Sequence, residues 1–133
     1  MQNIIDKFGP LVGRILLALI FLVSGYGKIG GFTGTAGYMA SKGLPMAEVL
    51  LAITIVIEIG AALMIIAGFK ARLGAAALFL WMIPVTFLFH NYWAMPADQQ
   101  MIQQIMFMKN LGLMGGMLYI MAFGSGPMSI DKK

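Results

Sequence analysis

The chain predicts an all-α integral membrane fold: a bundle of four transmembrane helices, with a short interfacial segment in the first outer loop. Three observations carry this. Sixty per cent of the 133 residues are hydrophobic and only 11 per cent are charged, against about 25 per cent charged in an average soluble domain. Mean hydropathy is +0.89, more apolar surface than a water-soluble domain of this size can bury. The apolar residues also fall into four segments, each near the roughly 20 residues a helix needs to cross the hydrocarbon core. Helix is the only spanning geometry open to four segments, because so few strands cannot close a barrel.

The first span is expected over about 8–29, at the head of one four-helix unit covering 1–133. Its uncharged stretch between Arg14 and Lys28 is short, so the reading relies on both long cations snorkelling toward the membrane faces. A cleaved signal peptide is the alternative, but Ser24-Gly25-Tyr26-Gly27-Lys28 offers no A-x-A-type site. A Gly-rich joint follows, in which residues 33–41 suit a brief interfacial helix carrying Tyr38 and Met39. The second span is expected over about 47–69, with Pro45 in its first turn and Glu58 its one interior charge. A tight cationic turn through Lys70 and Arg72 leads to the third span, about 73–89, which Pro84 should kink. Tyr92, Trp93 and Pro96 mark an interfacial loop, and the fourth span runs over about 101–123, interrupted by Lys109. Gly9-x-x-x-Gly13 and Gly112-x-x-x-Gly116 permit close helix contact, a weak pointer to a homo-oligomer.

Lysine and arginine set the orientation. Four spans place both termini and the middle turn on one side, with Lys7, Lys70, Arg72, Lys132 and Lys133, and Arg14 close by; the other side has Lys28 and Lys42. The positive-inside rule then puts both termini in the cytoplasm of a bacterial inner membrane.

Several chemistries are excluded. No cysteine is present, so thiol redox work, iron–sulfur clusters and cysteine-bound zinc are absent. With one histidine, neither bis-histidine haem nor a copper centre can be built from this chain alone, and no metal or covalent cofactor is expected. Thirteen methionines suit adaptable packing rather than a copper array. The net charge of +4 is spread too thinly for nucleic-acid binding.

The charges inside the membrane are the candidate functional residues. Glu58 should need an offset, since an acidic residue at mid-span costs roughly 2.5–3.5 kcal/mol. Lys109 is the expected partner, because along parallel spans the two differ in height by roughly 5 Å. The alternative is a protonated Glu58 hydrogen-bonded to Thr54. Arg14 and Arg72 compete for Asp131 as a structural latch. Lys28, Glu58, His90 and Lys109, with Tyr26 and Trp93 at a similar height, belong to the outer half of the bundle. Such a set of cations, a histidine and aromatics would suit the carbonyl head of a quinone or a small anion; a lone His is also often just a hydrogen-bonded interfacial residue.

In order along the chain, Gly13-Arg14-Ile15-Leu16, Phe21-Leu22-Val23-Ser24-Gly25-Tyr26-Gly27-Lys28, Gly43-Leu44-Pro45, Glu58 with Gly60, Gly68-Phe69-Lys70-Ala71-Arg72, Phe89-His90, Phe107-Met108-Lys109-Asn110 and Gly124-Ser125-Gly126-Pro127-Met128-Ser129-Ile130-Asp131 resemble the DoxX family. The end motif departs from the family's usual Gly-Pro-Gly. The resemblance implies a small four-helix bacterial or archaeal membrane protein, related to subunits of quinol oxidase and thiosulfate:quinone oxidoreductase systems. The expectation is an inner-membrane accessory subunit of a redox complex that engages bound quinone. The alternatives are a non-catalytic membrane scaffold for partner proteins and a proton or small-solute carrier using Glu58.

Overall fold

The computed structural model describes residues 2–131; Lys132 and Lys133, counted above among the terminal cations, lie outside the described residues. Every regular element in it is helical. In order they are α1 (Gln2–Gly30), α2 (Phe32–Ser41), α3 (Ala47–Ala67), α4 (Ala71–Phe89), a single 3-10 turn (Tyr92–Ala94) and α5 (Ala97–Phe123). α1, α3, α4 and α5 are each long and apolar enough to span a membrane, and α2 is the short helix of the first long joint.

The helices outrun their apolar cores. α1 begins at Gln2 rather than near residue 8, because Gln2, Asn3, Asp6 and Lys7 continue the same helix as a polar lead. α5 likewise starts four residues before its apolar stretch, behind Pro96, with Asp98 in its first turn where the helix dipole favours a negative charge. Pro45 falls outside α3; Met46 precedes the helix in the left-handed region instead. α4 runs unbroken through Pro84.

Packing follows a chain of neighbours. α1 lies on α3, α3 on α4 and α4 on α5, while α2 packs across α3. One core, built from Ala18 and Phe21, Ala61, Ala62 and Ile65, Ala75, Leu78 and Met82, and Met117 and Ile120, draws on all four long helices. Alanine recurs at these contacts because small side chains let backbones approach where lipid supplies no hydrophobic drive for helix association. Gly25 does the same between α1 and α3: a Cβ there would lie 2.7 Å from Ile59 Cγ1 and 3.2 Å from Glu58 Cβ.

The end of the bundle that carries the termini is closed by a strap. α3 ends in a Schellman motif with Gly68 at φ +71, Gly68 N–H donating to Ile65 and Phe69 N–H to Met64. The segment after α5 crosses this turn, Ile130 N–H donating to the Ala67 carbonyl and Asp131 N–H to that of Gly68, each at 3.0 Å. Arg14 fastens both pieces. It is only 3 % exposed, and it donates to the carbonyls of Ile65 and Ile66 at the end of α3 and of Ser125, Pro127 and Met128 in the strap. The expected latch to Asp131 is therefore replaced. Asp131 accepts from the Lys70 backbone N–H, and among the described residues it pairs with neither Arg14 nor Arg72. The reason is physical: the last carbonyls of α3 have no partner within the helix, and a guanidinium carries five donors in a fixed fork.

Candidate functional site

Glu58 lies midway along α3 and is 2 % exposed. Its Oε1 is 2.8 Å from Lys28 Nζ on α1. Lys28 does not extend to the membrane face; it folds back one turn, and its ammonium also donates to Ser24 Oγ. This corrects the expected Glu58–Lys109 pair. That expectation rested on height alone, and neighbourhood decides the partner: α3 packs on α1, while α5 packs on α4. Thr54 turns elsewhere: its hydroxyl accepts from Trp81 Nε1 at 3.2 Å, and among the described residues the hydrogen bond to the Glu58 carboxylate comes from Lys28.

A cavity of about 130 Å³ lies beside this pair. Lys28, Glu58, His90 and Lys109 all line it, from α1, α3, the end of α4 and α5 respectively. Trp81, Phe21 and Val85 supply apolar wall, and Asn110 supplies an amide. Asn110 is buried and donates to the buried Thr86 hydroxyl at 3.1 Å. His90 Nδ1 is 2.7 Å from Gln103 Oε1, which ties the end of α4 to α5. Lys109 is exposed on α5; among the described residues it has no carboxylate within ion-pair distance, and its ammonium reaches only Met106 Sδ at 3.5 Å. With Lys28 offset by Glu58, Lys109 leaves the cavity with an excess of positive charge.

Tyr26 and Trp93 stand apart. Tyr26 is 76 % exposed on the outer face of α1. Trp93 belongs to a surface aromatic cluster with Tyr92, Phe87 and Phe107, ring centroids 5.3–6.4 Å apart. Similar height placed them with the cavity residues; azimuth around the helix separates them. Conversely, Thr86 and Trp81 join the site without having been expected there, and Ser24 and Asn110, named above only within motif blocks, gain a role in it. A polar side chain within a span is the signal for Asn110 and Thr86, while Trp81 carries none.

A second cavity, about 240 Å³, adjoins the first under α2 and shares Lys28, Trp81, Val85 and His90 with it. Its remaining wall is mostly apolar, with Tyr38, Met39, Leu51 and Phe89, and Tyr38 stacks on Phe89 at 5.7 Å. Toward the termini the polar cavity ends on the apolar core of Ala18, Ala62, Leu78 and Met117, each fully buried. Among the described residues no three histidine, aspartate or glutamate side chains gather closely enough to hold a metal ion. The donor set instead suits an organic carbonyl or an anion in contact with a ring-sized apolar wall.

Comparison with known proteins agrees with this architecture. The DoxX family model matches residues 9–91. The chain is 36% identical over 123 residues to "Inner membrane protein YphA" of Escherichia coli (strain K12), covering 92% of this chain and 88% of the relative. It is 37% identical over 128 residues to "Inner membrane protein YqjF" of the same organism, covering 96% and 93%. A more distant relative, "Surfeit locus protein 4 homolog" of Schizosaccharomyces pombe, is 28% identical over 92% of this chain but only 36% of its own length. No solved structure matches significantly. Four apolar helices, the ordered motifs along them and these matches together establish that the chain belongs to the DoxX family and is a multi-pass inner-membrane protein.

Proposed function

We propose that this protein is an accessory subunit of a membrane redox system and holds the head of a quinone or quinol in the cavity between α1, α3, α4 and α5. The observation that carries the reading is the convergence of Lys28, Glu58, His90 and Lys109 on one cavity with an aromatic wall. Its size supports a single ring, since an apolar cavity of about 150 Å³ holds benzene. Lys109, with no carboxylate in ion-pair distance among the described residues, would donate to a carbonyl oxygen, and Asn110 keeps a second amide hydrogen for another. A quinone supplies two-electron, two-proton carrier chemistry when bound. His90, held by Gln103, would pass a proton to or from the bound head, and the Lys28–Glu58 pair would hold charge beside the ring. Nothing in the chain stores an electron, so the electrons belong to partner subunits. The apolar plug beneath the cavity favours a binding site over a path for solutes through the bundle.

The orientation proposed is both termini cytoplasmic. Lys7, Lys70 and Arg72 lie at the terminal end, and because Lys28 is turned inward to Glu58, Lys42 is the cation left to face water at the other.

The test is mass spectrometry of lipids extracted from the protein purified out of its own membrane in mild detergent. Near-stoichiometric quinone, lost in His90→Ala or Lys109→Ala, is the expected result. No quinone, with partner proteins retained, would replace this reading with that of a membrane scaffold.

A further inference from the structure

The ring of helices has one loose seam. α1 and α5 close the bundle, yet their backbones scarcely approach each other. Where they do touch, Gly116 meets the Leu17 side chain, which lies 3.1 Å from the place of a Cβ. On one side of this contact lies the polar cavity, lined there by Ile20 on α1 and Leu113 on α5. On the other the seam continues as a groove of about 490 Å³ lined by Gly13, Leu17, Gly116, Tyr119 and Ile120. Lys109 both lines the cavity and is exposed on the outside of the bundle, so it stands at the cavity mouth. It does so halfway along a spanning helix, where a lysine facing lipid is costly to leave uncompensated. A ligand head with an anionic or carbonyl oxygen at the mouth removes that cost.

We propose that the ligand of this cavity is a membrane-dissolved amphiphile that enters sideways, between α1 and α5. Lys109 meets its polar head, and its apolar tail stays behind in the α1–α5 groove past Leu17 and Gly116. The inference rests on the quinone reading and adds to it that tail length is a determinant of affinity. The groove's occupant is fixed by continuity: groove and cavity are successive openings of one seam, one helical turn apart on each helix. The glycines at positions 13 and 116 make the groove by leaving out side chains, and a Cβ at Gly13 meets nothing within 4 Å.

Trp81 lines the cavity and becomes the only tryptophan in a Trp93→Phe background, so its quenching reports occupancy. The protein is reconstituted in nanodiscs and titrated with two ubiquinones, one bearing a single isoprenoid unit and one a long polyprenyl tail. Gly13→Leu fills open groove and replaces glycine by a better helix former. It should weaken the long-tailed ligand about tenfold and leave the short one within about twofold, comparing each ligand with itself so that bilayer partitioning cancels. Lys109→Ala should weaken both. Equal effects of Gly13→Leu on the two ligands, or no effect, would overturn the seam proposal and leave quinone binding standing. A change of oligomeric state on Gly13→Leu would overturn it too, assigning the groove to a second copy of the chain. Failure of both quinones to quench Trp81 would remove both readings.

Discussion

The Lys28–Glu58 pair gives the sharpest test of the arrangement. Glu58 is 2 % exposed, and its carboxylate is 2.8 Å from an ammonium whose side chain is 25% exposed. At that separation the gross attraction is about 6 kcal/mol with an effective dielectric constant of about 20. Desolvating both groups opposes most of it, the part-exposed lysine is screened, and hydrogen bonds measured inside membrane proteins average about 0.6 kcal/mol with a maximum near 1.7. A net coupling of about 1–3 kcal/mol is therefore expected for an ion pair that is also hydrogen-bonded. The cycle comprises wild type, Lys28→Met, Glu58→Gln and the double variant, with unfolding followed in detergent under fixed conditions. Lys28→Met should be the more costly single change, because it strands a buried carboxylate. The double variant should recover part of the loss. A parallel cycle of Lys109→Met with Glu58→Gln should show weaker coupling, because the two line one cavity without forming an ion pair. Additivity in the first cycle, or stronger coupling in the second, would refute the assignment of Glu58 to Lys28 and with it the placement of α1 beside α3.

Two further outcomes concern the terminal strap. Arg14→Met should destabilise the protein by about 3 kcal/mol or more, since it leaves five carbonyls of α3 and the strap without their shared donor. Limited proteolysis should then cut within 124–131, and Arg14→Lys should not protect the strap, because a point charge cannot replace a five-donor fork. Gly68→Ala should cost about 2 kcal/mol and lower the thermal midpoint, because Gly68 has φ +71 and a Cβ there would lie 2.1 Å from that of Ser129. An unchanged midpoint would show that the strap does not lie across the α3–α4 turn.

The motif blocks of the DoxX resemblance now have physical roles. Arg14 and the block from Gly124 to Asp131 are distant in sequence, but carbonyls of that block hold the guanidinium, and the block from Gly68 to Arg72 anchors the same strap through Gly68 and Lys70. Ser24-Gly25-Tyr26-Gly27-Lys28 places a lysine, its hydroxyl partner and a close-approach glycine on the side of α1 that meets Glu58. Lys109-Asn110 puts a cation at the cavity mouth and an amide inside it. His90 was legible as the polar end of the third span, and its tie to Gln103 was not, because Gln103 sits among other polar residues of early α5 with nothing to single it out.

Composition, four apolar segments and the joints between them determined the number of spanning helices and the helical class by themselves. The reason is that hydrocarbon leaves backbone groups no partner outside a helix or a closed barrel. The sequence also determined how far along its own helix each charged residue is attached, because rise per residue is fixed; where the charged group itself lies was decided by the fold, as Lys28 shows by turning back to Ser24 and Glu58. The sequence could not determine which helices are neighbours or which way each one is turned. Those depend on side-chain packing across the bundle, and they decided that Glu58 pairs with Lys28, that Arg14 serves carbonyls rather than Asp131, and that Tyr26 and Trp93 face away from the cavity. Depth is a one-dimensional property of the chain; a binding site also needs azimuth and adjacency, which only the tertiary contacts supply.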